Sequence, residues 1–256
     1  MNIRPSVTRK ATLTARAILV TVAFALLAFS LPPEVSAQKK ITRKYPARKN
    51  VRLELRNLSG SITIESWERN EILVTASMYS PTAQFTPAEG DGRLEIDVVR
   101  ENRGRMVGDV NFNIKVPVNS TLDIETKRGN ITINSIRGTS VRARVSTSGD
   151  IELTDIRASE VIAENGLGNL IFDGQLVSGG SYVFKTLSGD INIRIPGDSA
   201  FSLMAAGQAK GINLNSFANP GLSFVGDGRK VYGNVGDGRA SVTVLNQHGK
   251  ISFIAR

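Results

Sequence analysis

From Gly60 onward the chain alternates apolar and polar residues in short runs, and one run recurs. A glycine, a small polar residue, Ile, any residue and a second apolar residue appear as Gly60-Ser61-Ile62-Thr63-Ile64, Gly129-Asn130-Ile131-Thr132-Ile133, Gly149-Asp150-Ile151-Glu152-Leu153 and Gly189-Asp190-Ile191-Asn192-Ile193. Gly168-Asn169-Leu170-Ile171-Phe172 and Gly249-Lys250-Ile251-Ser252-Phe253 are looser copies, and Lys210 takes the glycine slot before Gly211-Ile212. From Gly129 the slots recur after 20, 19, 21 and 21 residues. Seven residues after the slot stand Trp67, Ile136, Ile156 and Phe217. Apolar residues then return in alternation, as in Ile72, Val74, Ala76, in Val141, Ala143, Val145 and in Phe201, Leu203, Ala205.

A period of two means a strand with one buried face. Each repeat therefore holds two short strands, joined by turns of Gly, Asn and Asp. One such repeat cannot bury its own apolar face, but stacked repeats share a continuous core. The expected fold is all-β: a single-stranded parallel β-solenoid with coils of about 20 residues, right-handed by the default for such crossovers. An antiparallel sandwich would explain the alternation but not the shared register. No segment after residue 37 carries a capped 3.6 period, so the fold is expected to be nearly free of helix.

The first 37 residues break with this pattern. Arg4, Arg9, Lys10 and Arg16 precede an apolar run from Ala17 to Leu31, and Pro32-Pro33 leads into Val35-Ser36-Ala37. A positive leader, a run too short to span a bilayer and a small-residue site form a secretory signal, with cleavage expected between Ala37 and Gln38. The alternative is an uncleaved N-terminal anchor. The expected organisation is a signal peptide (1–37), a basic N-terminal arm (38–50) and a solenoid domain (51–256). An irregular insertion is expected around residues 80–110, where Pro81, Pro87, Gly90 and Gly92 interrupt the period. Within it Arg93 to Val99 alternates as a strand would. No transmembrane segment is expected after the leader, and the location is exported: periplasmic, cell-surface or secreted.

Charge sharpens one feature. Beyond the leader 28 basic residues face 22 acidic ones. Gln38 to Arg52 alone holds Lys39, Lys40, Arg43, Lys44, Arg48, Lys49 and Arg52 with no acid, and the remainder is almost neutral. The high pI thus reports a basic arm, not a basic domain. Lys39, Lys40, Arg43, Lys44, Arg48 and Lys49 are the residues expected to contact an anionic surface, unless the arm is only a solvated tail. The absence of cysteine excludes disulfides and a thiol nucleophile.

Candidate chemistry is sparse. His248, the one histidine, lies in a turn, and a triad or zinc site would have to rest on it alone. Asp150 and Asp190 occupy equivalent slots, yet Ser61, Asn130 and Asn169 share that slot, which reads as turn chemistry. Calcium-binding nonapeptide repeats are not present at their tandem spacing. Trp67 stands where other repeats place Ile or Phe, so it is expected in the core. Phe172, Tyr182, Phe184, Phe201, Phe217, Phe224 and Phe253 are also expected to point inward. Few aromatics, Tyr45, Tyr79, Phe85 and Tyr232 among them, remain for an exposed platform, too few for a stacking nucleic-acid binder. No catalytic, metal or cofactor site is expected.

Asn57-Leu58-Ser59-Gly60-Ser61-Ile62-Thr63-Ile64 with Trp67, Val116-Pro117 before Leu122-Asp123-Ile124-Glu125-Thr126, and the later Gly-Asp-Ile strands resemble the bacterial putative-adhesin family. These are secreted or membrane-tethered β-strand-repeat proteins of unknown function, and the likeness runs from Val51 to Phe253. It implies a β-solenoid and an envelope location, with no site residues to transfer. The expectation is a non-enzymatic structural or adhesive protein whose partner is an envelope polymer or protein. The alternatives are a β-helix enzyme acting on a polysaccharide, marked by carboxylates converging with Lys or Arg in a cleft, and a periplasmic sensory or scaffold domain.

Overall fold

The structure, a computed structural model, describes residues 39–78, 83–84, 86–90, 92–103 and 107–256. The expected leader, its cleavage site at Ala37, and Tyr79 and Phe85 lie outside them. Strands are numbered in chain order. They form two facing sheets around one core.

The ten-stranded sheet runs, from end to end, β1 (Lys39–Pro46), β4 (Glu71–Met78), β7 (Val110–Pro117), β3 (Ile62–Trp67), β9 (Ile131–Asn134), β11 (Ile151–Ile156), β13 (Leu170–Gly174), β15 (Ile191–Ile195), β21 (Ile251–Ala255) and β17 (Ile212–Asn213). The eleven-stranded sheet runs from β5 (Ala88–Gly90) and β6 (Arg93–Asp97) through β2 (Arg52–Ser59), β8 (Thr121–Arg128), β10 (Ser140–Ser148), β12 (Glu160–Leu167), β14 (Ser181–Ser188) and β20 (Ala240–His248) to β16 (Phe201–Ala206), β19 (Lys230–Val235) and β18 (Leu222–Val225). Among the described residues helix is confined to α1 (Val98–Glu101) and a 3₁₀ turn at Asn215–Phe217.

The central strands pair in parallel, and the seed of the repeat stacks in register. Ile62, Ile131, Ile151, Leu170, Ile191, Ile251 and Ile212 form one ladder down the ten-stranded sheet. All but Ile212 are fully buried. Leu53, Leu122, Val141, Val161, Tyr182, Val242 and Leu203 form the facing ladder. Phe172, Tyr182 and Phe184 meet in the core with ring centroids 5.0 to 6.1 Å apart.

Stacking explains the glycine of the seed. Gly189 has φ +128°, and a Cβ there would lie 2.0 Å from the carbonyl oxygen of Gly168 in the neighbouring coil. Real Cβ atoms do not approach so closely, so the corner admits only glycine on both conformational and steric grounds.

Three expectations change. First, coils do not stack in chain order at the two ends. The β2/β3 coil sits between β6/β7 and β8/β9, and the β20/β21 coil sits between β14/β15 and β16/β17. Both ends also carry antiparallel strands: β1, β4 and β7 at one, β16, β19 and β18 at the other. Second, residues 39–46 are not a free arm. They are β1, paired along their whole length with β4. Tyr45 is buried there, and Ile41 packs on the core. Third, Phe224 is half exposed. It lies opposite the buried Val231, on the inner side of its sheet, but past the end of the ten-stranded sheet that would cover it.

Candidate functional site

The polar residues of the corner are engaged by the fold. The Asn130 Oδ1 accepts the backbone N–H of Asp150, Asp150 accepts that of Asn169, Asn169 that of Asp190, and Asp190 that of Lys250, at 2.7 to 2.9 Å. Asp and Asn alternate along this ladder, so no two carboxylates stack on adjacent strands, where like charges repel. Asp150 and Asp190 are therefore turn caps.

A second polar ladder lies inside the wall. Asn57, Thr126, Asn165, Thr186 and Asn246 are buried three residues before a seed glycine. The Nδ2 of Asn165 donates to Gly149 O at 2.9 Å and to Asn169 O at 3.3 Å, and that of Asn246 to Gly189 O and Lys250 O in the same way. The bonds to Gly149 O and Gly189 O supply donors to corner carbonyls that receive no backbone N–H, whereas Asn169 O and Lys250 O also accept the Ile151 and Ile191 amides. The fixed offset from glycine was readable in the sequence, and sequence reasoning missed it.

The remaining singled-out residues separate in space. His248 is exposed, with Nδ1 3.2 Å from Leu187 O. Trp67 is half buried, not enclosed: its Nε1 donates to Glu71 O at 2.8 Å, and the Arg69 guanidinium lies 5.0 Å from its ring centre. It pins the β3–β4 connection and leaves no open sugar-stacking face on that side. Of the aromatics set aside for a platform, Tyr45 is buried and Tyr232 is half exposed. Phe172, Tyr182, Phe184, Phe201, Phe217 and Phe253 are core.

Charge is organised on the outer face of the eleven-stranded sheet. Across β6, β2, β8, β10, β12 and β14 one outward row reads Asp97, Arg56, Glu125, Arg144, Glu164, Lys185, alternating in sign at every step. Arg56 lies 3.9 Å from Asp97, Arg144 3.9 Å and Lys185 3.0 Å from Glu164. In the neighbouring rows Glu54 takes Arg52 at 2.6 Å and also Arg93, and Asp123 takes Arg52 at 3.7 Å. A shallow depression of about 380 Å³ on this face is lined by Arg56, Asp123, Glu125, Arg142, Arg144 and Glu164. It joins carboxylates to guanidinium groups, as a polysaccharide-cleaving enzyme would need. In the main row, however, opposite charges stand side by side strand by strand, so that row acts first as sheet pairing. The next row places Glu95, Glu54 and Asp123 on adjacent strands and relies on Arg52 and Arg93 between them. The solvent-facing pairs of Glu164 with Arg144 and Lys185 contribute at most about 1 kcal/mol each, whereas Glu54 and Asp97 are buried beneath their arginines. No group of three or more His, Cys, Asp or Glu placed to hold a metal occurs among the described residues.

The unbalanced charge sits on β1 and the turn after it. Lys39, Lys40, Arg43, Lys44, Arg48 and Lys49 are all exposed. Lys44 faces Glu71 at 3.7 Å. The others form no ion pair among the described residues, Lys39, Lys40 and Arg43 on the edge strand and Arg48 and Lys49 in the turn. No helix among the described residues is long and apolar enough to cross a membrane.

The sequence of these coils matches one family pattern, Toastrack DUF4097, over residues 50–176 and again over 105–253. The chain belongs to this family. Among curated proteins none matches it. Its fold is similar to that of a candidate cell adhesion protein from Clostridium sporogenes, at 15% identity and a TM-score of 0.52, over 86% of this chain and 99% of that one. A candidate adhesin from Bacteroides fragilis is more distant, at 13% identity and a TM-score of 0.40 over 86% of this chain and 99% of that one.

Proposed function

We propose that this Toastrack chain is a non-enzymatic, extracytoplasmic β-repeat protein with a structural or adhesive role at the bacterial cell envelope. One observation carries the reading. The Asn and Asp side chains of the corners cap neighbouring turns and the main outer row alternates in sign, whereas six exposed cations gather on β1 and its turn with no acid among them. Such an edge attracts anionic polymers or lipid head groups, each Lys or Arg contributing about 1 kcal/mol near an anionic surface. Its ligand is an envelope polymer or protein that presents negative charge. The coil, of about 20 residues and right-handed, follows the default for parallel crossovers. Export through residues 1–37 belongs to the same reading.

The experiment that tests it uses the exported chain with alginate as an acidic polysaccharide. Adhesion predicts that alginate is retained at low salt and released intact at high salt, with its chain length unchanged. Shortened alginate, lost in Glu125→Gln, would instead assign chemistry to the depression on the outer face.

A further inference from the structure

The two sheets have four ends, and three of them are blunted. β1 is lined with cations, β5 has only three residues, and β17 has two before the 3₁₀ turn closes it. β18 is different. It reads Leu-Ser-Phe-Val, without charge or proline, and it ends the eleven-stranded sheet with nothing paired to its outer edge among the described residues. An unprotected edge offers unpaired N–H and C=O groups to another strand. Apolar surface gathers on both faces of this edge. Phe224 (53% exposed) lies on the inner side, beyond the end of the facing sheet. Val225 (48%) lies on the outer side, with Tyr232 (53%) on the next strand and Met204 (52%) directly across from it. Exposed apolar side chains gathered around an unpaired strand edge favour association there.

We propose that β18 is a self-association edge, through which two copies pair their Leu222–Val225 strands antiparallel and join two eleven-stranded sheets into one. A backbone edge asks for a strand, not for a small molecule or a lipid. Identical strands related by a two-fold axis pair antiparallel and bring the same residues to both sides. An uncharged strand meets its own copy without repulsion, while the cationic β1 at the opposite end repels its own. Charge thus selects which end self-associates. Pairing would bury Phe224 and Val225 of both copies. The dimer would also carry a cationic β1 at each far end. That consequence rests on the reading of β1 above, whereas oligomeric state tests the β18 interface alone.

Sedimentation velocity on the exported chain decides it. The expected result is a dimer whose mass halves in Phe224→Lys, with unchanged thermal unfolding, and is unaffected by Lys40→Gln at the other end. If Phe224→Lys fails to fold, hydrogen exchange on the unaltered chain substitutes: the Phe224 amide should exchange more slowly as protein concentration rises. A chain that is monomeric at every concentration, a dimer that survives Phe224→Lys, or a Phe224 amide indifferent to concentration would overturn the proposal. So would a monomer that binds phosphatidylglycerol vesicles and loses that binding in Phe224→Lys, since the strip would then face a bilayer.

Discussion

Asp190 shows how the turn it caps engages a carboxylate. Its Oδ1 accepts the Lys250 amide at 2.8 Å, and the residue before it, Gly189, has no room for a side chain. The neighbouring Ile positions set the register. Ile151 is fully buried between Ile131 and Leu170, whereas Glu152 is exposed on the opposite face. Ile151→Asp should bury an unpaired charge and cost several kcal/mol, while Glu152→Lys should stay within about 0.5 kcal/mol. Denaturant unfolding of the two variants checks this, and equal losses would mean that the strand faces are exchanged. Tyr182 adds a pH dependence. Burial raises its pKa above the ordinary value of 10.0, although the hydrogen bond from Val177 N–H works the other way. The folded chain therefore holds this proton after the unfolded chain begins to lose it. Stability is fully present below pH 10 and falls as pH climbs past it. Tyr182→Phe should flatten that alkaline slope. It should also cost about 1–3 kcal/mol at neutral pH, because Val177 N–H loses its acceptor. Melting curves from pH 7 to 11 read both effects.

At the scale of elements, what was legible followed period and spacing. Alternating Ile, Leu and Val placed the strands of the repeat, and the seed glycine placed the corners. β1 was not legible as a strand, since only Ile41 and Tyr45 are apolar among its eight residues and its partner β4 lies across an antiparallel pairing. Phe224 looked inward because the alternation of Leu222 and Phe224 is intact, and what fails is the cover from the facing sheet. The charge row of Asp97, Arg56, Glu125, Arg144, Glu164 and Lys185 escaped sequence reading for another reason. Its members share a row only once the strands stand in spatial order. The common offset of the buried Asn and Thr from the seed glycine is written in the sequence, but that these side chains turn into the wall shows only in three dimensions.

At the scale of the molecule, chain order and spatial order part at both ends. The last coil is an interior coil, with β20 between β14 and β16. The repeats are near equivalents, so sequence pattern alone does not choose between neighbours. The absence of native cysteine makes the order directly testable. Val183 and Thr243 lie opposite each other on β14 and β20. Val183→Cys with Thr243→Cys should form a disulfide on mild oxidation. Val183→Cys with Met204→Cys should not, because a strand stands between them and two strand spacings of about 4.8 Å exceed disulfide reach. The opposite outcome would restore stacking in chain order.

The functional claim is that the cations of β1 and its turn, not the sheets, carry binding to an anionic surface. Removing residues 39–49 would uncover β4 and the core beneath Tyr45, so substitution is the cleaner test. The measurement is co-sedimentation with phosphatidylglycerol vesicles, comparing the native chain with one bearing Gln at Lys39, Lys40, Arg43, Lys44, Arg48 and Lys49. Exposed charges are screened over about 8 Å at physiological salt, so native binding should weaken steadily as salt rises. The substituted chain should melt like the native one and bind no better at low salt than the native chain does at high salt. Equal binding by both chains, or native binding indifferent to salt, would contradict the account and move the binding face onto the sheets.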